Sequence, residues 1–113
     1  MNKRFSLQEV TKDLVAVAKG SKAAQMVIKS GKLINVNTGE IIPNVDIAIT
    51  HGRIALVGDA SHTIGPDTQV IDARGYYVSP GFMDGHIHVE SSMMTVGEYA
   101  RAGLPHGTAT MFI

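Results

Sequence analysis

The chain contains no cysteine. This absence excludes disulfide bonds and thiolate metal ligands, so histidine and carboxylate are the only strong metal ligands that the sequence offers. The chain also lacks a run of like charges, and its 10 basic and 10 acidic residues balance. We therefore expect neither nucleic acid nor a membrane surface as a partner. With 113 residues and 44% hydrophobic content, the chain can bury one modest core.

The N-terminal segment shows no uninterrupted apolar run, because polar residues break it at Gln8, Glu9, Lys12 and Asp13. A signal peptide needs an apolar stretch of about 7–15 residues, and a membrane span needs about 20. The sequence therefore predicts a protein that is neither exported nor embedded in a membrane. The lack of cysteine fits a reducing compartment, so we expect a cytoplasmic location.

Residues 7–19 carry the pattern of an amphipathic helix. Ser6, followed three residues later by Glu9, forms a capping-box pattern. Gly20 marks the expected end of the helix. Apolar residues recur on one helical face at Val10, Leu14 and Val17. We expect residues 1–22 to form an N-terminal helix that docks on the rest of the chain, since a short helix is marginal alone.

Residues 23–79 consist of short β-type runs separated by turn residues. The runs are QMVIK, KLINV, VDIAIT, RIALVG, QVIDA and YYVS. The segments KSGK, NTGE and THGR each place a glycine where a tight turn favours positive φ. This pattern predicts a small antiparallel sheet or sandwich built from hairpins.

Residues 80–113 predict a strand, a helix and a second strand. The run FMDGHIHV reads as the first strand, and Thr95 with Glu98 predicts the start of a helix over residues 96–104. The apolar run TATMFI follows as the second strand. Strand–helix–strand is the unit from which parallel sheets are made, and such sheets need further strands and helices. We therefore expect the chain to be a fragment.

The segment PGFMDGHIHVESSM places two histidines and two carboxylates within residues 84–90. If this segment is a strand, alternate side chains share one face, which puts His86 and His88 on the same side with Cα atoms roughly 7 Å apart. Two imidazoles at that spacing can converge on one metal ion. A pair of ordinary surface histidines is the alternative.

The two carboxylates flank the histidine pair in sequence. Glu90 has three candidate roles: a metal ligand, an acceptor that orients an imidazole, or a group that handles protons. A solvated acid at a strand end is the structural alternative. Asp84 is expected to accept a hydrogen bond that fixes the geometry around the histidines. Gly85 would allow another backbone to approach closely.

The other three histidines carry weaker signals. His51 lies in a predicted hairpin turn and His62 lies in a polar loop, so we expect both to face solvent. His106 follows a proline just before the second predicted strand, where it could pack or form a hydrogen bond near the helix end.

The stretch PGFMDGHIH, preceded by VIDARGYYVSP, resembles the entry to the amidohydrolase superfamily. A longer match that includes HVESSM and LPHGT is similar to the adenine deaminases of that superfamily along nearly the whole chain. The resemblance implies an α/β fold with three parts. These are an N-terminal helix (residues 1–22), a small β-sandwich portion (23–79) and the first strand–helix–strand of an incomplete (β/α)8 barrel (80–113).

The same resemblance implies a site and a reaction. His86 and His88 correspond to the metal ligands on the first barrel strand, and Glu90 to the catalytic acid that follows them. The implied cofactor is a divalent metal, with manganese favoured and iron or zinc as alternatives. The implied reaction is hydrolysis of adenine to hypoxanthine and ammonia by a metal-activated water, in purine salvage. A homo-oligomer with adenine as its small-molecule substrate is expected of the longer parent.

The chain departs from the family pattern at its end, GTATMFI, where Ala109 stands in place of a threonine and the later ligands and catalytic aspartate are absent. A (β/α)8 barrel takes about 250 residues, and a metal site usually needs three or more protein ligands. We therefore expect the isolated chain to be inactive. Two alternatives stay open: a non-catalytic β-module that serves in assembly, and a different amidohydrolase such as a dihydroorotase-like cyclic amidase.

Overall fold

A computed structural model describes residues 5–113 and shows a mixed α/β chain, which confirms the predicted class. The chain divides into two compact units, the first ending at Ser79 and the second comprising Pro80–Ile113. The helices and strands are α1 (Leu7–Ala18), β1 (Met26–Asn35), β2 (Glu40–Thr50), β3 (Arg53–Gly58), β4 (Gln69–Asp72), β5 (Tyr77–Val78), β6 (Phe82–Asp84), α2 (Val96–Gly103) and β7 (Thr108–Met111).

Helix α1 begins as the sequence predicts. The backbone N–H of Ser6 donates to Glu9 Oε2 at 2.7 Å, and the N–H of Glu9 donates to Ser6 Oγ at 3.3 Å, so both halves of the capping box form. These bonds also lower the pKa of Glu9. Val10 and Val17 are buried on the packed face of the helix. No helix in the described residues is long and apolar enough to cross a membrane.

The first unit contains one five-stranded sheet. Strands β2 and β3 continue from β1 as antiparallel hairpins, whereas β4 and β5 both pair with the other side of β1 in parallel. The prediction of a purely antiparallel sheet is therefore wrong. The segment after β3 crosses to the far edge of the sheet before β4 begins, and such a crossover produces parallel pairing. Helix α1, and not a second sheet, packs on this sheet among the described residues.

Strand β1 is continuous where the sequence suggested two strands joined by a KSGK turn. Its pairing with β2 shifts register around Gly31, and Ser30 has a φ of 60°. The segment is therefore a β-bulge within one strand, which adds a residue without reversing the chain. The other two predicted turns are confirmed. His51 and Gly52, between β2 and β3, both have positive φ (51° and 66°), as a two-residue type I′ hairpin requires.

The core of the first unit lies between α1 and one face of the sheet. Its buried members are Val17, Ala24, Val27, Ala48 and Ala60. The opposite face, which we call the outer face, carries side chains that the register places together. They are Met26, Ile28, Ile47, Ile49, Ile54, Val57 and Ile71. Ile54, Val57 and Ile71 are exposed.

A buried carboxylate ties the parts of the first unit together. Asp46 on β2 accepts hydrogen bonds from the backbone N–H groups of Ser30 at 2.8 Å and Ala60 at 3.1 Å. Lys29 Nζ lies 3.4 Å from the same side chain. Asp46 therefore accepts hydrogen bonds from backbone N–H groups in the β1 bulge and in the segment after β3. Both groups lie outside regular strand pairing.

The second unit confirms the predicted strand–helix–strand order. Strands β6 and β7 pair in parallel, with α2 between them in sequence. The N–H of Glu98 donates to the hydroxyl of Thr95, so Thr95 caps α2 as predicted. The helix ends one residue earlier than expected, because a 3-10 turn at Leu104–His106 contains the proline.

Candidate metal site

The histidine segment follows a much shorter strand than the sequence predicted. Strand β6 contains only Phe82–Asp84, and a 3-10 turn begins at Val89. The prediction that FMDGHIHV forms one extended strand is therefore wrong, and Glu90 lies in the turn and not on a strand face. The two histidines occupy the irregular segment between the strand and the turn.

The backbone hydrogen bonds of Phe112 show how the chain departs from strand geometry after β6. The N–H of Phe112 donates to the carbonyl of Asp84 at 3.0 Å, and the carbonyl of Phe112 accepts from the N–H of Ile87 at 3.0 Å. In a regular parallel ladder the second bond would come from residue 86. The chain therefore contains one extra residue here, which is a β-bulge at the site.

The bulge leaves the two imidazoles in contact. Nε2 of His86 lies 3.0 Å from Nε2 of His88, and the rings meet edge to face with centroids 4.7 Å apart. The predicted convergence of the two side chains is therefore present, although an irregular segment, and not a strand, produces it. Two imidazole nitrogens this close can both reach one small cation that lies to the side of the line between them.

Glu90 contacts the far side of one of these rings. Its Oε1 lies 2.8 Å from Nδ1 of His88. An ionised carboxylate only accepts hydrogen bonds, so Nδ1 of His88 carries the donated proton, and in the neutral ring Nε2 is then the nitrogen that keeps a lone pair. Of the three roles considered for Glu90, this geometry favours the one that orients an imidazole.

The site is open to solvent. The side chains of His88 and Glu90 are 63% and 74% exposed, so their ion pair is screened and contributes little stability by itself. No group of three or more histidine and carboxylate side chains in residues 5–113 is placed to hold a metal ion. The chemistry of the donors fits a divalent transition metal, but the described residues provide two imidazoles where three or more ligands are usual.

Asp84 and Gly85 lie at the start of the bulge. Asp84 is half-buried, and its Oδ1 accepts a hydrogen bond from the backbone N–H of His86 at 3.2 Å. It borders an open cleft of about 250 Å³ with Tyr99 and Thr108. A Cβ placed on Gly85 would have no atom within 4 Å, so the expectation of a close backbone approach at this glycine is wrong.

The three other histidines belong to other segments of the chain. His51 is not solvent-facing as predicted: its side chain is 23% exposed, and its Nε2 lies 2.7 Å from Oδ2 of Asp13 on α1. The hydrogen bond from His51, together with one from Lys22, lowers the pKa of Asp13. His62 is exposed as expected, with Nε2 2.9 Å from the carbonyl of Ala18. His106 is exposed in the 3-10 turn after α2.

Sequence reasoning missed the β-bulge, which decides where the histidines point. The only signal for it is the spacing Asp-x-His, since an aspartate often accepts a hydrogen bond from the backbone two residues later. The alternation of apolar and polar residues does not reveal that a strand with one polar face contains an extra residue. The sequence failed to place Glu90 on a turn for the same reason.

Comparison with known proteins gives one consistent set of curated relatives. No protein-family model matches the chain. The chain is 63% identical to the adenine deaminase of Moorella thermoacetica over 110 residues, 97% of this chain and 18% of that protein. It is 60% identical to the adenine deaminase of Clostridium botulinum (strain ATCC 19397 / Type A) over 107 residues, and 50% identical to that of Rubrobacter xylanophilus over 111 residues. The chain thus spans about 18% of the length of these relatives.

Solved structures give a more distant match. The structure that describes molinate hydrolase aligns with a TM-score of 0.63 and 27% identity, over 80% of this chain and 24% of that one. A prolidase complexed with N-methylphosphonate-L-proline aligns with a TM-score of 0.60 and 26% identity, over 76% of this chain and 24% of that one. These neighbours are amidohydrolase-type enzymes, and the match agrees with the resemblance predicted from the sequence.

Proposed function

Because the chain is a relative of the adenine deaminases along nearly its whole length, we propose that it carries part of the metal-dependent machinery of an adenine-hydrolysing enzyme. The reaction would convert adenine and water to hypoxanthine and ammonia. The activity is proposed for a protein of the relatives' length. The names of the relatives do not favour the cyclic amidase or the non-catalytic β-module.

The observation that carries this proposal is the contact between Nε2 of His86 and Nε2 of His88. Two imidazoles this close, at the end of a strand that continues into a strand–helix–strand unit, would provide two ligands of a divalent metal site. When bound, the ion supplies Lewis-acid activation of water, which hydrolysis of an aromatic amine requires at neutral pH. Manganese is the proposed ion, with iron or zinc as alternatives.

Glu90 is proposed to act on this site through His88. By holding a proton on Nδ1 of His88, it keeps the Nε2 lone pair free for a metal. Its carboxylate is also exposed, which fits the catalytic role that the resemblance implies. Asp84 and the bulge hold the segment that connects the two ligands to the sheet.

We propose the remaining features of the longer protein from the resemblance of the sequence to the amidohydrolase superfamily. Strands β6 and β7 with α2 would be the first unit of a (β/α)8 barrel, and the five-stranded sheet would belong to a separate small β-domain. We propose a cytoplasmic homo-oligomer that takes adenine as its substrate and that binds neither nucleic acid nor a membrane. Each of these statements concerns the protein of the relatives' length.

The proposal is tested by transplanting this chain into a relative. The matching 110-residue segment of the Moorella thermoacetica enzyme is replaced by the corresponding residues of this chain, and ammonia release from adenine is measured with added manganese. We expect the chimera to release ammonia, and we expect both His86→Ala and His88→Ala to lower its kcat by about 100-fold or more. Manganese content, measured by elemental analysis, should fall in the same two variants.

His62→Ala is the matched control, because this exposed histidine belongs to the first unit and, among the described residues, its side chain contacts a backbone carbonyl. It should leave ammonia release and manganese content unchanged. A folded chimera that retains full activity with both site histidines replaced would refute the proposal. The isolated 113-residue chain, assayed in parallel, should release no ammonia.

A further inference from the structure

The β-bulge after β6 deprives one backbone group of its usual partner. In a regular ladder the N–H of His86 would donate to the carbonyl of Phe112, but that carbonyl accepts from Ile87 instead. A backbone N–H that loses its ladder partner no longer holds the local backbone in the strand conformation unless another acceptor replaces that partner. The residue with the displaced N–H is one of the two candidate metal ligands.

The side chain of Asp84 supplies the missing acceptor. Its Oδ1 lies 3.2 Å from the backbone nitrogen of His86, two residues along the chain. The backbone carbonyl of the same residue accepts the last ladder bond from Phe112. Asp84 therefore fixes the bulge twice, once with its main chain and once with its carboxylate.

We propose that Asp84 is a positioning residue, whose side-chain acceptor locks the β-bulge so that the imidazole of His86 is held against that of His88. The inference rests on the proposed function, because it assigns a purpose to a pair that binds metal. The lock acts on the backbone of His86, and therefore on the direction of its Cα–Cβ bond. Two χ angles remain between that bond and Nε2, and the 3.0 Å contact with His88 fixes them.

The alternative role for Asp84, as a metal ligand, fits the geometry less well. One of its oxygens already accepts the N–H of His86, and the residue is half-buried beside a cleft that Tyr99 and Thr108 line. A ligand role needs the negative charge, whereas a positioning role needs only an oxygen that accepts. Asparagine, which keeps an oxygen in the same place without the charge, separates the two roles.

The experiment compares Asp84→Ala with Asp84→Asn in the full 113-residue chain. Three quantities are measured: the exchange rate of the His86 backbone amide by NMR, the nuclear Overhauser effect between the rings of His86 and His88, and the Kd for Zn²⁺ by calorimetry. We expect Asp84→Ala to speed amide exchange about tenfold, to abolish the ring contact and to raise the Kd about tenfold. Asp84→Asn should keep the ring contact, and its amide exchange rate and Kd should stay within about twofold of the original values, because asparagine retains an oxygen that accepts the hydrogen bond.

Ser92→Ala is the matched control. The Ser92 hydroxyl donates to the carbonyl of Val89 at 2.6 Å in the same segment, so its removal perturbs the turn without touching the amide of His86. It should leave the three quantities unchanged. If Asp84→Asn changed the three quantities as much as Asp84→Ala does, the charge would be the important property and the proposal would be overturned. Unchanged amide exchange and an unchanged ring contact in Asp84→Ala would also overturn it.

The proposed function and the positioning role fail in different ways. Absence of manganese from the chimera described above would count against the metal-site proposal, whereas amide exchange and the ring contact in the 113-residue chain still decide the role of Asp84. If Asp84→Ala does not fold, Asp84→Asn decides alone. Values like those of the original chain then support the positioning role, and loss of the ring contact overturns it.

Discussion

Glu90 Oε1 lies 2.8 Å from Nδ1 of His88, on the side of the ring opposite to Nε2. This contact is a carboxylate–imidazole pair of the kind that fixes the tautomer of a metal-binding histidine. Because both side chains are exposed, the pair adds little to folding. Its effect is on which nitrogen of His88 carries the proton.

Removal of this carboxylate is expected to weaken metal binding. Glu90→Ala leaves Nδ1 of His88 without an acceptor, so the tautomer with the proton on Nε2 becomes populated and competes with a metal. We expect the Kd for Zn²⁺, measured by calorimetry, to rise about tenfold or more. Glu98→Ala on α2 is the control, because the Glu98 side chain pairs with Arg101 on the helix surface. Equal losses in both variants would contradict the role of Glu90.

Asp46→Ala is expected to destabilise the first unit strongly. The change removes the acceptor for the N–H groups of Ser30 and Ala60, both at positions outside regular strand pairing. Two lost hydrogen bonds to a charged, buried group correspond to about 3 kcal/mol of unfolding free energy. Urea unfolding followed by circular dichroism measures it.

Lys29→Met is the comparison for Asp46, because it removes only the ion pair at 3.4 Å and keeps an apolar stem. We expect it to lower the unfolding free energy by about 1 kcal/mol or less. If Lys29→Met destabilised as much as Asp46→Ala, the backbone hydrogen bonds would not be the main contribution.

Gly31→Ala is expected to strain the bulge of β1. A Cβ at this position would lie 2.5 Å from Cγ2 of Val78 and 3.4 Å from Cβ of Ala73. Overpacking of this kind costs about 1–3 kcal/mol, which urea unfolding can measure. Val78→Ala removes the closest atom, so the double variant should recover part of the loss that Gly31→Ala causes. A purely additive double variant would mean that the contact with Val78 is not the source of the strain.

The pair between Asp13 and His51 is expected to make stability depend on pH in the acid range. Hydrogen bonds from His51 and Lys22 lower the pKa of Asp13 in the folded chain. The stability that this carboxylate contributes is therefore present above its unfolded pKa of about 3.9 and is lost as the pH falls through the folded pKa. Helix α1 is held to the β2–β3 hairpin partly by this pair.

The measurement is the urea midpoint of the original chain and of Asp13→Asn between about pH 6 and pH 3, the range in which an aspartate titrates. The difference between the two chains should be largest at the higher pH and should shrink as the pH falls. Subtraction is necessary, because the pKa values of Asp59 and Asp72 are also lowered, by Ser61 and Arg74 respectively.

The outer face of the sheet is expected to make the isolated chain self-associate. Ile54 and Ile71 are 61% and 42% exposed on this face, and apolar side chains surround them. Contiguous exposed apolar surface drives association. The double variant Ile54→Lys, Ile71→Lys should sediment as a smaller species than the original chain at the same concentration. Val36→Lys, which changes an equally exposed residue beside the β1–β2 turn, should not.

The elements of the fold were predictable where the signal is local. The capping residues Ser6 and Thr95 start the helices that the sequence assigned to them, because a cap acts within one turn. The hairpin turn at His51 and Gly52 was predictable for the same reason. The parallel pairing of β4 with β1 was not predictable, because it depends on a crossover, and short apolar runs look the same in parallel and antiparallel strands.

The candidate site was predictable in its residues but not in its geometry. The spacing of His86 and His88 indicated that the rings could converge, and they are in contact. The same spacing placed Glu90 on a strand face, where it does not lie. An extra residue in a strand changes the face of every later side chain, and no composition rule reveals such a residue. The half-buried pair of His51 with Asp13 escaped prediction because it joins segments distant in sequence.

The central position of β1 has a consequence for the order in which the first unit assembles. On one side it pairs with β2, which follows directly in sequence, and on the other with β4 and β5, which come after a long intervening segment. Contacts between neighbours in sequence close small loops and form early, whereas distant pairings close large loops and form late. The hairpins of β1 to β3 should therefore assemble first, and the β4–β5 edge should be the first part of the sheet to exchange its amide hydrogens with solvent.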